Sequence, residues 1–496
     1  MIGPLCQRAD ATCADLQAEL PAGPEREVVD QVREGLAQPL RVAVAGRVNA
    51  GKSTLVNALL RQRVAPTDVS ECTRLVTWYR YGVPERVEVV GHDGSRTRLG
   101  LQADGTLPRD PGVPVEEVDH LDVFLSNEAL RDLVLIDTPG LGSLNRDYSQ
   151  GTEQLLALDP GSRLAVGKAD ALVFVLTLGL RRDEADALRT FRMLYDGVSA
   201  SAMNAVGVLN KADTAAAPDE DPLGEAARLA DVYSAELRTS VAVVRPLVSL
   251  LAETVDTGRF TERTTEALRT LATATPAVRA SMLLSADRFV SSGAIEPTVA
   301  SELLEALDLF GIRLALEQID SGAASASAIS SALRDLSGIG ELRRLLTLVF
   351  GPNADAIKAN GALSALERLV YSMPDDDPLR RRFQDAIEEV RLDAGMHRLN
   401  ELRALQECAA QVVELPSDLA DDLRRVVAAR ELTDRLGLAP TASTDALQAA
   451  ALAGAARWKG FGNDSRSSSG QRWVADVLAR SYEQLWVEAD RLAGHR

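Results

Sequence analysis

Residues 46–53 read GRVNAGKS and fit the phosphate-binding loop pattern GxxxxGK[ST]. An apolar stretch, RVAVA at residues 41–45, precedes the motif, and a helical pattern follows it, so the motif joins a predicted strand to a predicted helix. In such a loop, backbone N–H groups point at a phosphate, a lysine adds positive charge, and a serine hydroxyl ligates Mg²⁺. The nucleotide-binding residues predicted here are Gly46, Arg47, Val48, Asn49, Ala50, Gly51, Lys52, Ser53 and Thr54.

A second motif, DTPG at residues 137–140, directly follows another predicted strand. This position places a carboxylate at the carboxyl end of a strand, which is the edge of the sheet where ligands bind in open α/β folds. We predict that Asp137 binds Mg²⁺ through water and that the Gly140 N–H meets the γ-phosphate. Gly140 and Lys52 are therefore predicted catalytic residues.

A polar connector, PTDVSECTR at residues 66–74, lies between the helix that follows the loop and the next predicted strand. A threonine in such a connector completes the Mg²⁺ shell with its hydroxyl and orients the attacking water with its carbonyl. We assign this role to Thr73, which makes it a predicted catalytic residue and a predicted metal ligand beside Ser53 and Asp137. The alternatives in the same connector are Thr67 and Ser70.

A third motif, NKAD at residues 210–213, also follows a predicted strand. Asp213 can accept hydrogen bonds from guanine N1–H and N2–H₂, a donor pair that adenine lacks, while the Lys211 side chain covers the base. The motif therefore predicts a site for GTP and GDP rather than ATP, with Asn210 as part of it. Further base contacts are predicted from the backbone of Ser249 and Leu250.

The composition is that of an ordinary globular protein, since 46% of the 496 residues are hydrophobic and 25% are charged. The 72 acidic and 54 basic side chains give a net charge of −18, which argues against a nucleic-acid partner and against charge-driven binding to anionic lipid. Four scattered cysteines indicate neither a disulfide framework nor a zinc site. No signal peptide or membrane-spanning apolar run is evident, so we expect a cytoplasmic protein.

The chain changes character near residue 260. Before this point β-branched runs alternate with helical patterns, which predicts an α/β P-loop GTPase domain with a doubly wound, mostly parallel sheet. Beyond it, long apolar stripes at helical spacing predict an elongated α-helical bundle, including one rod from Asp377 to Pro416 with a hinge at Gly395. The predicted domains are an N-terminal helix that joins the bundle (1–38), the GTPase domain (39–258) and the bundle (259–496). The predicted strands cover residues 41–45, 75–81, 87–90, 133–136, 171–176, 205–209 and 241–244, and the predicted helices between them cover 55–60, 183–194 and 223–237.

The phosphate-binding loop with residues 54–60, the connector with residues 75–79, and the DTPG motif together resemble the bacterial dynamin-like GTPases. The connector is most similar to that of the mycobacterial isoniazid-inducible members of the family. The resemblance is specific over about residues 40–255 and architectural beyond them. It implies a GTPase head, a helical neck and trunk, GTP-dependent head-to-head dimerisation, and a role in membrane remodelling or envelope stress. It also implies peripheral contact with the inner face of the plasma membrane and a longer dynamin-like partner.

Leu141 follows the DTPG motif at the position where small GTPases carry a water-positioning glutamine. An apolar residue there is similar to dynamins, in which a monovalent cation supplies positive charge. Asn49 occupies the loop position that holds K⁺ in cation-activated GTPases, and its amide oxygen suits K⁺ or Na⁺, so Asn49 is a predicted catalytic residue. Two alternatives stay open: Asn49 only hydrogen-bonds the loop, or an arginine supplies the charge. The candidate arginines are Arg47 and Arg74.

Three functions fit this sequence: a mechanochemical GTPase, a slow GTP-dependent regulatory switch, and a structural partner in a hetero-oligomer with a longer dynamin-like protein. The long helical stripes favour the first, because a simple switch needs no lever of roughly 50 Å. For membrane contact the sequence offers two candidate segments, WKGFG at residues 458–462 and VELP at residues 413–416. The alternative for the first segment is that its tryptophan packs a helix end.

Overall fold

The computed structural model describes residues 3–66, 75–108, 110–139, 169–179, 188, 204–217, 220–238, 240–323, 325–351, 353–409, 412–429 and 431–494. Several predictions fall outside these ranges. They concern Thr67, Ser70, Thr73, Arg74, Gly140, Leu141 and, apart from Leu188, the helix predicted over residues 183–194.

The described strands form one nine-stranded sheet in the order β4-β3-β5-β2-β6-β1-β7-β8-β9. Strands β6, β1, β7, β8 and β9 run parallel to one another, while β2 is antiparallel to β6, and β3 is antiparallel to both of its neighbours. The predicted mostly parallel α/β fold is confirmed. The strands are β1 (Leu40–Gly46), β2 (Thr77–Tyr81), β3 (Arg86–Gly91), β4 (Arg96–Leu99), β5 (Val118–Leu125), β6 (Leu133–Asp137), β7 (Ala171–Leu176), β8 (Ala205–Asn210) and β9 (Val244–Leu247).

The central strands are buried on both faces, as every residue of β7 and β8 shows. Their register brings the predicted motifs to one edge of the sheet. Val44 of β1 lies opposite Asp137 of β6, and Asn210 of β8 lies opposite Leu247 of β9. The residues that follow these carboxyl ends therefore meet above β1, where the phosphate-binding loop begins.

Five of the predicted strands are confirmed, with end points that differ by at most one residue, and the strand predicted from residue 75 begins at Thr77. The strand predicted over residues 241–244 is wrong, because β9 begins only at Val244. Strands β4 and β5 were not predicted. The reason in β5 is its charge: Asp122 is buried within the strand and accepts hydrogen bonds from Arg80 Nε (2.7 Å) and Arg96 Nη1 (3.2 Å).

Helices make up the described structure beyond β9 and also precede β1. They are α1 (Pro4–Glu19), α2 (Pro24–Ala37), α3 (Lys52–Leu60), α4 (Pro222–Glu236), α5 (Ser249–Asp256), α6 (Glu262–Ala272), α7 (Pro276–Met282), α8 (Ala286–Ser291), α9 (Pro297–Asp320), α10 (Ala326–Ser337), α11 (Ile339–Leu345), α12 (Ala354–Ser372), α13 (Pro378–Arg391), α14 (Ala394–Ala409), α15 (Ser417–Ala428), α16 (Leu432–Arg435), α17 (Thr444–Gly462) and α18 (Ser469–Gly494). Two of the helices predicted in the GTPase domain correspond to α3 and α4.

The two N-terminal helices pack on α12 and α13 and share one apolar cluster with them. Asp355 of α12 caps the start of α1 by accepting hydrogen bonds from the N–H groups of Leu5 (2.9 Å) and Cys6 (3.0 Å). One turn later, the buried Lys358 donates to the carbonyl of Leu36 near the end of α2 (2.7 Å). The ends of α1 and α2 are therefore tied to the helical region by side chains of a single helix.

Helices α6 to α10 surround α5, against the edge of the head that carries β9. Leu251 of α5 is completely buried among apolar side chains of these helices, including Leu268, Leu303 and Leu333. The first helices after residue 258 therefore lie directly beside the loops that follow β8 and β9.

The single rod predicted between Asp377 and Pro416 is wrong, because two helices occupy this stretch. Helix α13 ends at Arg391, and Asp393 then starts α14 by accepting a hydrogen bond from the Gly395 N–H (2.8 Å). An aspartate that caps the next helix offers the backbone an alternative to continuing the first one. The break therefore lies two residues before the predicted hinge.

The two segments proposed for membrane contact differ in the structure. Residues 458–462 are the last turns of α17, and Trp458 is fully buried, with its Nε1–H donating to Asp422 Oδ2 (2.7 Å). The alternative, a tryptophan that packs a helix end, is confirmed. Residues 413–416 lie in the loop between α14 and α15, where Val413 is buried in the apolar cluster of helices α14 to α18 while Glu414 and Pro416 are exposed. Membrane contact through this loop stays a prediction.

In the part of the chain that the structure describes, no helix is both long enough and apolar enough to span a bilayer. The same residues contain no group of three or more His, Cys, Asp or Glu side chains arranged to hold a metal ion. Cys6 and Cys13 are buried free thiols, and Cys408 is a partly buried free thiol.

We predict that acid weakens the helical region through His397. Burial lowers the pKa of this histidine, whose Nε2 lies 2.9 Å from Ser481 Oγ and which faces Glu401, Arg435 and Arg480. The unfolded chain then binds a proton more readily than the folded chain, so stability is complete above about pH 6.5 and decreases as the pH falls below it. The unfolding free energy measured between pH 7.5 and pH 5 should therefore fall less in H397Q than in the wild type.

H120Q is the control, and its effect on the acid destabilisation should have the opposite sign. Burial lowers the pKa of His120, but hydrogen bonds to Asp119 and Asp122 outweigh this effect and raise it. Loss of this histidine should steepen the acid destabilisation. Equal pH dependence of H397Q and the wild type would contradict the prediction.

Candidate nucleotide-binding site

The phosphate-binding loop turns away from β1 at two glycines that no larger residue could replace. A Cβ on Gly46 (φ +154°) would lie 2.4 Å from the carbonyl oxygen of Val175, and one on Gly51 (φ +90°) would lie 2.2 Å from Asn210 Nδ2. Between them, Asn49 is exposed with a left-handed backbone (φ +62°). The loop therefore passes so close to β7 and β8 that only backbone fits at these two points.

Lys52 begins α3 and is folded back across the loop. Its Nζ donates to the carbonyl of Arg47 (2.9 Å), and burial lowers the pKa of the ammonium group. A buried ammonium with one neutral acceptor is under-satisfied, because it carries three donors. Phosphate oxygens in the loop would supply the missing acceptors.

Ser53 and Asp137 form the metal-binding part of the site. Ser53 Oγ donates to Asp137 Oδ2 (2.9 Å), while Asp137 Oδ1 is buried and accepts no hydrogen bond from the described residues. Burial raises the pKa of Asp137 to about 6, although Lys52 and Ser53 act in the opposite direction. A buried carboxylate with a free oxygen beside a serine hydroxyl fits Mg²⁺, which prefers oxygen ligands and keeps several waters.

Asn210 joins three loops through both ends of its amide. Its Nδ2 donates to the carbonyl of Ala50 (2.6 Å), and its Oδ1 accepts from the N–H of Ser249 (3.1 Å). These contacts make the side chain a link between the phosphate-binding loop and the start of α5, and its contact with a nucleotide stays a prediction. Thr138 plays a similar part beside Asp137, since its Oγ1 donates to the carbonyl of Val44 (2.9 Å).

The predicted base-binding residues lie around the start of α5. Lys211 is exposed with a left-handed backbone (φ +60°), Asp213 is partly buried, and Ser249 is buried with an Oγ that has no partner among the described residues. Leu250 is partly buried. The structure therefore brings the NKAD motif and residues 249–250 to the same corner of the sheet edge.

Asp308 adds a second carboxylate near Asp213. Helix α9 is interrupted at Asp308 (φ +55°, ψ 174°), where the side chain accepts a hydrogen bond from the Leu309 N–H (2.6 Å), and Thr254 of α5 donates to the Ala306 carbonyl. This backbone conformation is strained for a residue other than glycine. Burial raises the pKa of Asp213, and the negative charge of Asp308 raises it further.

Thr73 and Gly140 lie outside the described residues, so their predicted roles stay predictions. Sequence reasoning also missed two buried polar residues close to the site, Asn57 of α3 and Glu253 of α5. Asn57 carried a recognisable signal, because it is a polar residue within the otherwise apolar stretch of residues 55–60.

We predict that Mg²⁺ binding weakens in acid, because Asp137 must lose its proton to bind the metal. With its pKa raised to about 6, the carboxylate is ionised above this pH and protonated below it. The apparent Mg²⁺ affinity of the complex with GDP should fall by about tenfold for each pH unit below 6. Mg²⁺ titrations with fluorescent GDP, corrected for Mg²⁺ binding to free GDP, measure this effect. The same affinity at pH 5 and at pH 8 would contradict it.

Comparisons with known proteins bear on the family of this chain. The model of the family described as 50S ribosome-binding GTPase matches residues 41–211. The chain is 34% identical to the isoniazid-induced protein IniC of Mycobacterium tuberculosis over 449 residues, which cover 87% of this chain and 86% of that protein. It is 31% identical to the isoniazid-induced protein IniA of the same species over 134 residues, 25% of this chain and 21% of that protein. A solved structure described as an oligomerised bacterial dynamin pair aligns with 99% of this chain and 90% of its own, at 13% identity and a TM-score of 0.35.

Proposed function

This chain belongs to the bacterial dynamin-like GTPases, and we propose that it hydrolyses GTP with Mg²⁺ and couples hydrolysis to head pairing and to movement of its helical region. The observation that carries the proposal is the pair formed by Ser53 and Asp137 beside Lys52, in which one buried carboxylate oxygen lacks a described partner. A metal ion would bind the carboxylate oxygen that lacks a partner, and a phosphate would supply acceptors for the Lys52 ammonium group.

Within this proposal, Ser53, Asp137 and Thr73 hold Mg²⁺, which when bound neutralises developing charge on the phosphate oxygens. Lys52 leaves the Arg47 carbonyl and contacts the β- and γ-phosphates, and the Gly140 N–H binds the γ-phosphate. Asp213 selects guanine by accepting hydrogen bonds from its N1–H and N2–H₂ groups, with Lys211 over the base. Thr73 orients the attacking water, since Leu141 has no group to do so.

Contacts between the head and the helices support the proposed coupling. Arg343 of α11 donates to the Ala58 carbonyl in α3 and pairs with Asp256 of α5 (2.8 Å). Helix α3 starts at Lys52 and α5 starts at Ser249, so one arginine contacts both helices whose first residues line the nucleotide site. We propose that the helical region responds to the nucleotide through these contacts, in membrane remodelling or envelope stress, with itself or a longer dynamin-like protein as partner.

We predict that GTP turnover per molecule increases with protein concentration, because a head without its own water-positioning glutamine gains activity on pairing. The specific rate should rise by about tenfold between dilute protein and protein concentrated enough to dimerise. Phosphate release by the full chain measures it, with K52A as the inactive control. A constant low rate would indicate the regulatory switch instead, and binding without turnover would indicate the structural partner.

We predict that K⁺ stimulates turnover through Asn49. The variant N49G removes the amide oxygen and keeps the left-handed backbone, which alanine would strain, so it separates ligand loss from loop distortion. Wild-type turnover should fall when a larger monovalent cation replaces K⁺, whereas the rate of N49G should be low in both. If N49G keeps the full response to K⁺, the cation hypothesis is wrong, and R47A and R74A then test the arginines.

A further inference from the structure

Asn57 is a completely buried amide with every hydrogen-bonding position in use. Its Oδ1 accepts from the N–H groups of Val64 (3.0 Å) and Ala65 (2.8 Å), and its Nδ2 donates to the Ala65 carbonyl (3.0 Å) and to Glu253 Oε1 (2.7 Å). An asparagine side chain offers two donors and two acceptor lone pairs, so the set is complete. These four hydrogen bonds fix the position of the Asn57 side chain.

The residues held by Asn57 stand immediately before the connector that carries Thr73. Asn57 itself lies one helical turn after Ser53 on α3, so the two side chains project from the same face of the helix. Three hydrogen bonds from the Asn57 side chain to Val64 and Ala65 therefore connect the phosphate-binding helix to the start of the connector.

Glu253 of α5 accepts the remaining hydrogen bond from the Asn57 side chain. It is 2% exposed and lies one turn after Ser249, whose N–H is bound by Asn210. Arg63, Arg259 and Glu305 are the charged groups that act on it, and burial raises the pKa of its carboxyl group. Burying a carboxyl group is costly, and packing alone would be served better by an apolar side chain.

We propose that Glu253, acting through Asn57, is a positioning residue that sets Val64 and Ala65 for hydrolysis and so couples the base end of the site to the γ-phosphate end. The inference rests on the proposed GTPase function. Glu253 contacts neither the phosphate-binding loop nor the base motif among the described residues, so its effect is on the rate of hydrolysis and not on nucleotide affinity.

Three variants of the full chain test this. E253Q keeps an oxygen that accepts from Asn57 Nδ2, E253D keeps the charge but withdraws the oxygen by one methylene, and E253A removes both. We expect kcat to fall by about tenfold in E253D and E253A and to stay within about twofold of wild type in E253Q. The dissociation constant for fluorescent GDP should remain within about threefold in all of them.

E302A is the matched control, because Glu302 is an exposed glutamate of α9 that lies 3.7 Å from Arg263 and is outside the amide network. If E253D and E302A both turn over GTP like the wild type, the inference is wrong and the GTPase proposal stands. Parallel loss of GDP affinity and kcat in E253D would also overturn it, since Glu253 would then support the pocket as a whole. Absence of turnover in the wild type would instead remove the proposed function itself.

Discussion

The site depends on the Asn210 amide, which holds three separate loops at fixed distances. Its two hydrogen bonds join the turn before Gly51 to the first residue of α5, across the carboxyl end of β8. The absence of a Cβ at Gly51 is a consequence of that contact, because the amide nitrogen occupies the space where the Cβ would be. These contacts fix the phosphate-binding loop relative to the start of α5, where the predicted base-binding residues lie.

Two buried charges of the site, on Lys52 and Asp137, are incompletely paired among the described residues. The pKa of Lys52 is lowered and that of Asp137 is raised, both mainly by burial, so each group is less stable in its charged form than in water. The two charges attract each other, but neither gains a complete set of hydrogen bonds in the described structure. Under the proposed function, a magnesium ion with a triphosphate would satisfy both at once.

Strands and loops with a clear local sequence pattern could be predicted from the sequence. Apolar runs such as β7 and β8 are buried on both faces and were recognisable from their composition, and the phosphate-binding loop was recognisable from its glycines and lysine. Features that depend on long-range partners were missed. Strand β5 contains the buried Asp122, which Arg80 of β2, Arg96 of β4 and the neighbouring His120 compensate. The sequence offered helix-end packing for Trp458 but not its partner, because Asp422 is 36 residues away. The helix break at Asp393 was missed for a local reason, because its capping bond competes with an otherwise regular apolar stripe.

Helix α5 gives the structure a direct route between nucleotide and helices. Its first residue, Ser249, is bound by Asn210; its middle residue, Glu253, is bound by Asn57; and its last residue, Asp256, pairs with Arg334 of α10 (2.7 Å) and with Arg343 of α11. Eight residues of helix span only about 12 Å, and a buried segment of this length moves as one body. Under the proposed function, a shift of Ser249 on nucleotide binding would therefore be transmitted to Asp256. The arginines of α10 and α11 that pair with this carboxylate would then connect the head to its helices without any change in the sheet.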